Sequence, residues 1–185
     1  MPKPSLSWLH QARAGWQHRG ARRPEFAQTP QPGQESVWDY PRPPALVADQ
    51  REVVVSHGEI EIARSRRSYR VLETASPPTF YLPPEEVNTQ WLTPSPTVRS
   101  FCEWKGEARY WLLKDAASAE PVAWTYLAPY DEFAPLAGYF AFYPGRVTCQ
   151  VAGETVRPQS SGFYGGWVTD DIVGPFKGEP GTSGW

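Results

Sequence analysis

Cysteine is scarce: Cys102 and Cys149 are the two in 185 residues, too few for the disulfide framework of a small secreted protein. The N-terminus also lacks the apolar segment of a secretory signal, so the chain reads as reduced and cytoplasmic. No stretch approaches the length needed to cross a bilayer. A strong excess of one charge sign is missing as well, since 18 basic and 20 acidic side chains leave a net charge of −2. Neither nucleic acid nor a membrane surface is therefore an expected partner. The balance hides a local bias, because residues 1–36 carry Lys3, Arg13, Arg19, Arg22 and Arg23 against Glu25 and Glu35. A basic arm of this kind more often wraps its own acidic domain, or stays solvated, than grips phosphates. Strand–helix alternation is absent too, which excludes a parallel α/β fold.

Proline and tryptophan are abundant, with 21 and 9 copies. Prolines fix extended arms and stop strands, and tryptophans bury large areas or stack on planar ligands. The expected organisation is an extended N-terminal arm over 1–48, a β-rich domain over 49–157 and a wrapping tail over 158–185. In the arm, Trp8, Ala12 and Trp16 share an i, i+4 face, which predicts a turn or two of helix around Ser5 to Trp16. Prolines 41, 43 and 44 force "ESVWDYPRPP" to lie extended across the domain with Trp38 and Tyr40 as anchors.

In "REVVVSHGEIEIARS" apolar and polar residues alternate on both sides of His57-Gly58, which predicts a hairpin with His57 in the turn. "SRRSYRVLET" follows as a strand whose face through Arg67, Tyr69, Val71 and Glu73 opposes the face through Arg66, Ser68, Arg70 and Leu72. Thr79 to Leu82 is a further strand, and Pro83-Pro84 opens a helical turn through Val87. Pro94 and Pro96 make "WLTPSPTVRS" a connector. Four more β segments come from "KGEARYWLLKD", "EPVAWTYL", "AGYFAFYP" and "RVTCQVAGETV", with Pro144-Gly145 as a tight turn between the last two. The total of seven or eight strands and one or two short helices predicts a mainly β, mostly antiparallel arrangement of folded sheets or a partly open barrel. The final 24 residues hold seven glycines, yet Phe163, Tyr164, Trp167, Phe176 and Trp185 argue for an ordered tail, packed on its own domain or on a second subunit.

"ESVWDYPRPP", "RVLETASPPTFYLPPEEV", "CEWKGEARYW", "AWTY", "AGYFAFYP" and "GFYGGWVTDDIVGPFKGEPGTSGW" together resemble the family called domain of unknown function 427, also labelled nucleotidyltransferase-like, in its longer bacterial form. The resemblance runs from about Glu35 to Trp185. It implies a small β-rich fold similar to the tent-like sheets of the Mss4-like class. Zinc-binding relatives of that class use paired Cys-x-x-Cys knuckles, whereas this chain has Cys102-x-x-Lys105 and a solitary Cys149, so no metal is expected. A Gly-Ser followed by an Asp-x-Asp pair, of the sort that holds cations in nucleotidyl transfer, is also missing. Asp170-Asp171 is adjacent, and adjacent strand residues face opposite ways.

The candidate site gathers around Lys105, beside a glycine that permits a bulge or a close backbone approach. Arg67, Glu73 and Lys105 are expected to line one concave face with Trp104, Trp111, Trp124 and Tyr126. The competing reading is a structural salt bridge from Glu73 to Arg67 or Lys105. Cys102 could be a nucleophile made acidic by Lys105, but His10 and His18 lie in the arm and His57 in a turn, so a buried packing role is preferred. The expected function is binding of a small anionic or planar molecule without a cofactor. Lys105, Glu73 and Cys102 are the candidates if there is catalysis. The alternative is an interaction or homodimerisation module that uses Trp38, Tyr40, Trp167 and Trp185.

Overall fold

A computed structural model describes residues 4–114 and 118–185. Residues 1–3, with Lys3 of the basic arm, and 115–117, with Asp115 at the end of "KGEARYWLLKD", lie outside the described residues. The arm opens with helix α1 (Leu6–Ala14), capped by the Ser5 hydroxyl, which accepts from the Trp8 N–H at 3.2 Å. No residue of α1 is buried, and the helix stops at Gly15 so that Trp16 leaves its face and turns to the domain.

The strands follow as β1 (Glu35–Ser36), β2 (Ala45–Asp49), β3 (Val53–His57), β4 (Ile60–Ser65) and β5 (Ser68–Leu72). Next come β6 (Thr79–Tyr81), β7 (Leu92–Cys102), β8 (Gly106–Leu113), β9 (Ala123–Tyr126) and β10 (Phe140–Phe142). The chain closes with β11 (Thr148–Val151), β12 (Glu154–Thr155), β13 (Arg157–Pro158), β14 (Trp167–Val168) and β15 (Ile172–Val173). Three larger sheets run in the orders β10-β9-β8-β7, β12-β11-β3-β4 and β2-β5-β6, all antiparallel, and none closes into a barrel. Parallel pairing appears where β1 of the arm meets β15 of the tail.

The hairpin around Gly58 and the turn at Gly145 are where periodicity and glycine place them. Two expectations are corrected. "WLTPSPTVRS" is no connector: it belongs to the eleven-residue strand β7, where the register slips between Pro94 and Arg99. Prolines are tolerated there because β7 is the edge of its sheet and the missing donors would face outward. The strand total among the described residues exceeds seven or eight because β1, β2, β7, β13, β14 and β15 are added and "RVTCQVAGETV" divides into β11 and β12. Residues 45–48, the end of the expected arm, form β2 together with Asp49 and pair with β5 along its length.

The strands β10, β9 and β8 contribute to a core on each face of their sheet, and alternation sorts their side chains between the two. Trp111, Leu113, Ala123, Phe140 and Phe142 pack with Val53, Val55 and Ile62 from the neighbouring sheet. Ala108, Tyr110, Trp124, Tyr126 and Ala141 face the other way, towards Tyr81, Phe133 and Tyr143. Cys149 is a packing residue of the first core, and burial pushes its thiol far up.

A third core joins the two arms. Val37, Trp38, Tyr40 and Ile172 are buried with Phe176 and Trp185 against them. Trp38 Nε1 donates to the Pro175 carbonyl at 3.0 Å, and the Gln17 N–H donates to the Gly184 carbonyl at 3.2 Å. Arm and tail therefore clasp each other on their own domain. Each fully buried large apolar side chain stabilises such packing by roughly 2–3 kcal/mol.

Candidate functional site

The second core is not filled completely. Between its sheet face and the clasped arms lies a cavity of about 210 Å³. Strand alternation supplies one wall: Tyr110 of β8 stands opposite Trp124 of β9, and Ala108 opposite Tyr126, all on one face. Tyr81 and Tyr143 extend this wall, while Trp16, Gln159, Tyr164 and Lys177 close the cavity from the arms. Two glycines let the tail approach. A Cβ on Gly165 would stand 2.3 Å from the Trp124 ring, and one on Gly166 would stand 2.3 Å from Gln159 Oε1.

Lys105 lies in the turn between β7 and β8, one residue before β8 begins at Gly106, whose positive φ closes the turn. Its side chain is buried, with Nζ 5.5 Å from the Phe133 ring and 6.0 Å from the Tyr126 ring. Burial opposes the ammonium, but the acidic groups of Cys102, Tyr81, Glu73 and Glu103 outweigh it, and Lys105 is held above the usual lysine range. An ammonium thus sits in an aromatic wall.

Both nearby carboxylates are engaged elsewhere. Glu73 pairs with Arg42 at 3.1 Å, and Glu103 Oε1 accepts from Trp16 Nε1 at 2.9 Å. Arg42 is a hub, its side chain wholly buried: it also donates to the carbonyls of His18, Thr74 and Trp185 at 2.9, 2.8 and 3.0 Å. Its guanidinium lies 4.2 Å from the centre of the Trp16 ring. Lys177 Nζ lies 3.5 Å from the same indole and 5.0 Å from the Tyr164 ring. Desolvation, reinforced by Arg42 and resisted by Glu73, Glu103 and Cys102, lowers the Lys177 pKa to about 8.

The hydroxyls are neutral donors. Burial pushes Tyr81 up to about 12, and Tyr126 and Tyr143 also rise well above the usual phenol range for the same reason. Trp124 Nε1 donates to the Tyr81 hydroxyl at 3.3 Å, and Ser100 Oγ and the Tyr110 hydroxyl share a bond of 2.7 Å. Cys102 lines the cavity, but burial raises its pKa in spite of Lys105, so it is a thiol rather than a thiolate nucleophile.

Glu73, Cys102, Lys105, Trp124 and Tyr126 thus meet in one cavity. Arg67, Trp104 and Trp111 do not. Arg67 precedes β5 while Glu73 follows it, and six extended residues separate their backbones by about 20 Å. The Arg67 guanidinium turns outward to Glu85 and Glu86 at 3.0 and 2.7 Å. Trp111 follows Tyr110 on the strand and so faces the first core, 5.0 Å from Phe140. Trp104 packs in the second core with Arg13 5.1 Å over its ring, outside the cavity lining. Glu73 is in a salt bridge, as the competing reading had it, but with Arg42 rather than with Arg67 or Lys105.

Sequence reasoning missed Trp16, Tyr81, Tyr110, Tyr143 and Lys177. Strand alternation from Ala108 could have found Tyr110; nothing local marks Trp16 or Lys177, which arrive from opposite ends of the chain. Asp170 and Asp171 are committed to Arg157 and Arg51. Among the described residues no three His, Cys, Asp or Glu side chains converge as a metal would require, and no helix is long and apolar enough to cross a membrane.

The chain belongs to the family described as domain of unknown function DUF427, whose model matches residues 45–153. No curated protein matches it. Trp16, Gln159, Tyr164 and Lys177 lie outside the matched span, so the cavity is composite: the family domain supplies one wall and this chain's arms the other.

Proposed function

We propose that the cavity binds a small planar anion, such as an aromatic carboxylate, between its tyrosine and tryptophan rings with the acid group against Lys105. One observation carries this reading. A buried ammonium lines a partly open aromatic cavity while the two carboxylates beside it are bound to Arg42 and Trp16. Neither carboxylate forms an ion pair with the Lys105 ammonium, so its N–H donors can be offered to an anionic ligand. Neutral tyrosine hydroxyls add donors suited to carboxylate oxygens. The alternative of an interaction module has less to work with, since Trp38, Tyr40 and Trp167 are buried within their own chain.

The test is a thermal-shift titration with benzoate. Binding to the native state alone raises the melting temperature. The shift is expected in the wild type, absent in Lys105→Met and unchanged in Arg67→Ala. If millimolar benzoate, 4-hydroxybenzoate and inorganic phosphate all leave the wild-type transition in place, the reading fails.

A further inference from the structure

Two cations share one indole. The Arg42 guanidinium carbon and Lys177 Nζ lie 4.2 and 3.5 Å from the centre of the Trp16 ring. A π face stabilises a cation, but two positive charges on one indole repel each other, which favours the neutral form of whichever can lose a proton. Arg42 cannot be the one: guanidinium does not deprotonate in proteins, and this one is held by Glu73 and three backbone carbonyls. Glu73 forms its ion pair with Arg42, through Oε1. Lys177 is 2 % exposed, yet it lines the cavity, so its amine is approached through the cavity.

We propose that Lys177 is a covalent site that forms an imine with a small oxo acid, an aldehyde or ketone that also carries a carboxylate. The inference rests on the reading of the cavity as a site for small anions, with Lys105 taking the carboxylate. The Nζ lone pair attacks the carbonyl carbon to form the C–N bond, and an amine proton passes to the carbonyl oxygen. The resulting carbinolamine loses water and leaves a C=N bond. Nothing is oxidised or reduced. A lysine desolvated beside another fixed cation is one of the recognised ways to obtain a neutral, nucleophilic amine near neutral pH.

The surroundings agree. Lys177 is depressed to about 8 by burial first and by Arg42, while Lys105 in the same cavity stays above the usual range and remains a cation. The groups acting on Lys177 from the packed elements are Glu73 beyond β5, Glu103 in the β7–β8 turn, Cys102 of β7 and Arg42 of the arm. The chain has four lysines in all, Lys3, Lys105, Lys114 and Lys177, so modification can be mapped without ambiguity.

The experiment uses the full chain with glyoxylate and sodium cyanoborohydride, which reduces an imine to a stable amine, followed by peptide mass spectrometry. The expected result is one adduct on Lys177, formed roughly tenfold faster than on Lys114, slowed by benzoate and slowed in Lys105→Met. Lys177→Arg and Lys177→Met should both lose it, and melting curves identify a variant that fails to fold. Labelling of Lys177 no faster than of Lys114 overturns the inference. If benzoate stabilises the protein but glyoxylate leaves Lys177 unmodified, the covalent site is wrong and the binding reading stands. If Lys177 is trapped but benzoate has no effect, the covalent site stands and the aromatic-acid reading falls. If neither occurs, both fall.

Discussion

Tyr110 and Trp111 are neighbours in the chain and belong to different cores. Tyr110 lines the cavity with its hydroxyl bonded to Ser100, whereas Trp111 packs against Phe140 and donates from Nε1 to Thr125 Oγ1 at 3.2 Å. Strand β8 thus divides stability from the site by a single step of its pleat.

Substitution should separate the two roles. Trp111→Ala leaves a void in a two-sided core and is expected to lower stability by roughly 2–4 kcal/mol in urea unfolding, while the protein that remains folded still responds to benzoate. Tyr110→Phe should change stability by less than about 1.5 kcal/mol and weaken the benzoate response. If Trp111→Ala abolishes binding in folded protein, the partition across β8 is wrong.

Gly165 and Gly162 offer a paired test of how the tail closes the cavity. A methyl group on Gly165 would overlap the rigid Trp124 ring at 2.3 Å, whereas Gly162 has nothing within 4 Å and no positive φ. Gly165→Ala should therefore loosen the tail, lower the melting temperature by several degrees for roughly 1–3 kcal/mol of strain, and speed proteolysis within 158–185. Gly162→Ala should behave as wild type; equal behaviour of the two variants would contradict the packing of the tail on Trp124.

Arg42 is the hub of the clasp. Arg42→Met leaves Glu73 without its cation and three carbonyls without a donor, a loss expected to reach roughly 3–5 kcal/mol. Adding Glu73→Gln to that variant should recover part of the loss, which a double-mutant cycle measures. Strictly additive effects would mean that the pair is not coupled.

Lys177 makes stability depend on pH in a stated direction. Its pKa of about 8 lies below the 10.5 of an ordinary lysine, so between those values the unfolded chain binds more protons and native stability rises with pH. This contribution is present above about 10.5 and is lost as pH falls through about 8. Buried tyrosines and Cys149 oppose it from about pH 9 upward, because their raised pKa values favour the native state only until the unfolded chain ionises. The informative quantity is the difference between wild type and Lys177→Met: relative to the variant, the wild type should gain stability from pH 8 to 10, by on the order of 2–3 kcal/mol. A flat difference would show that Lys177 titrates normally.

Much of the fold was legible because β structure repeats every two residues. The hairpin through His57 and Gly58, strand β5 and the three segments that became β8, β9 and β10 follow from alternation and turn residues. Pro94 and Pro96 misled, since proline forbids a central strand but not an edge, and edge position is a property of the sheet. Of the site, Lys105, Glu73, Cys102, Trp124 and Tyr126 were legible as charges and rings concentrated in β segments. Arg67, Trp104 and Trp111 were not separable from them without knowing where each strand begins and which core each face meets.

The sequence by itself determined a mainly β, antiparallel protein with aromatic arms and a lysine at the mouth of β8, because periodicity, proline and glycine act over a few residues. Tertiary structure alone decided that Trp16 and Lys177 meet across 160 residues of chain, that Arg42 rather than Arg67 takes Glu73, and that the arms close a cavity. Those outcomes depend on long-range packing of arm on tail, where burial and charge pairing choose among partners that local patterns leave equivalent.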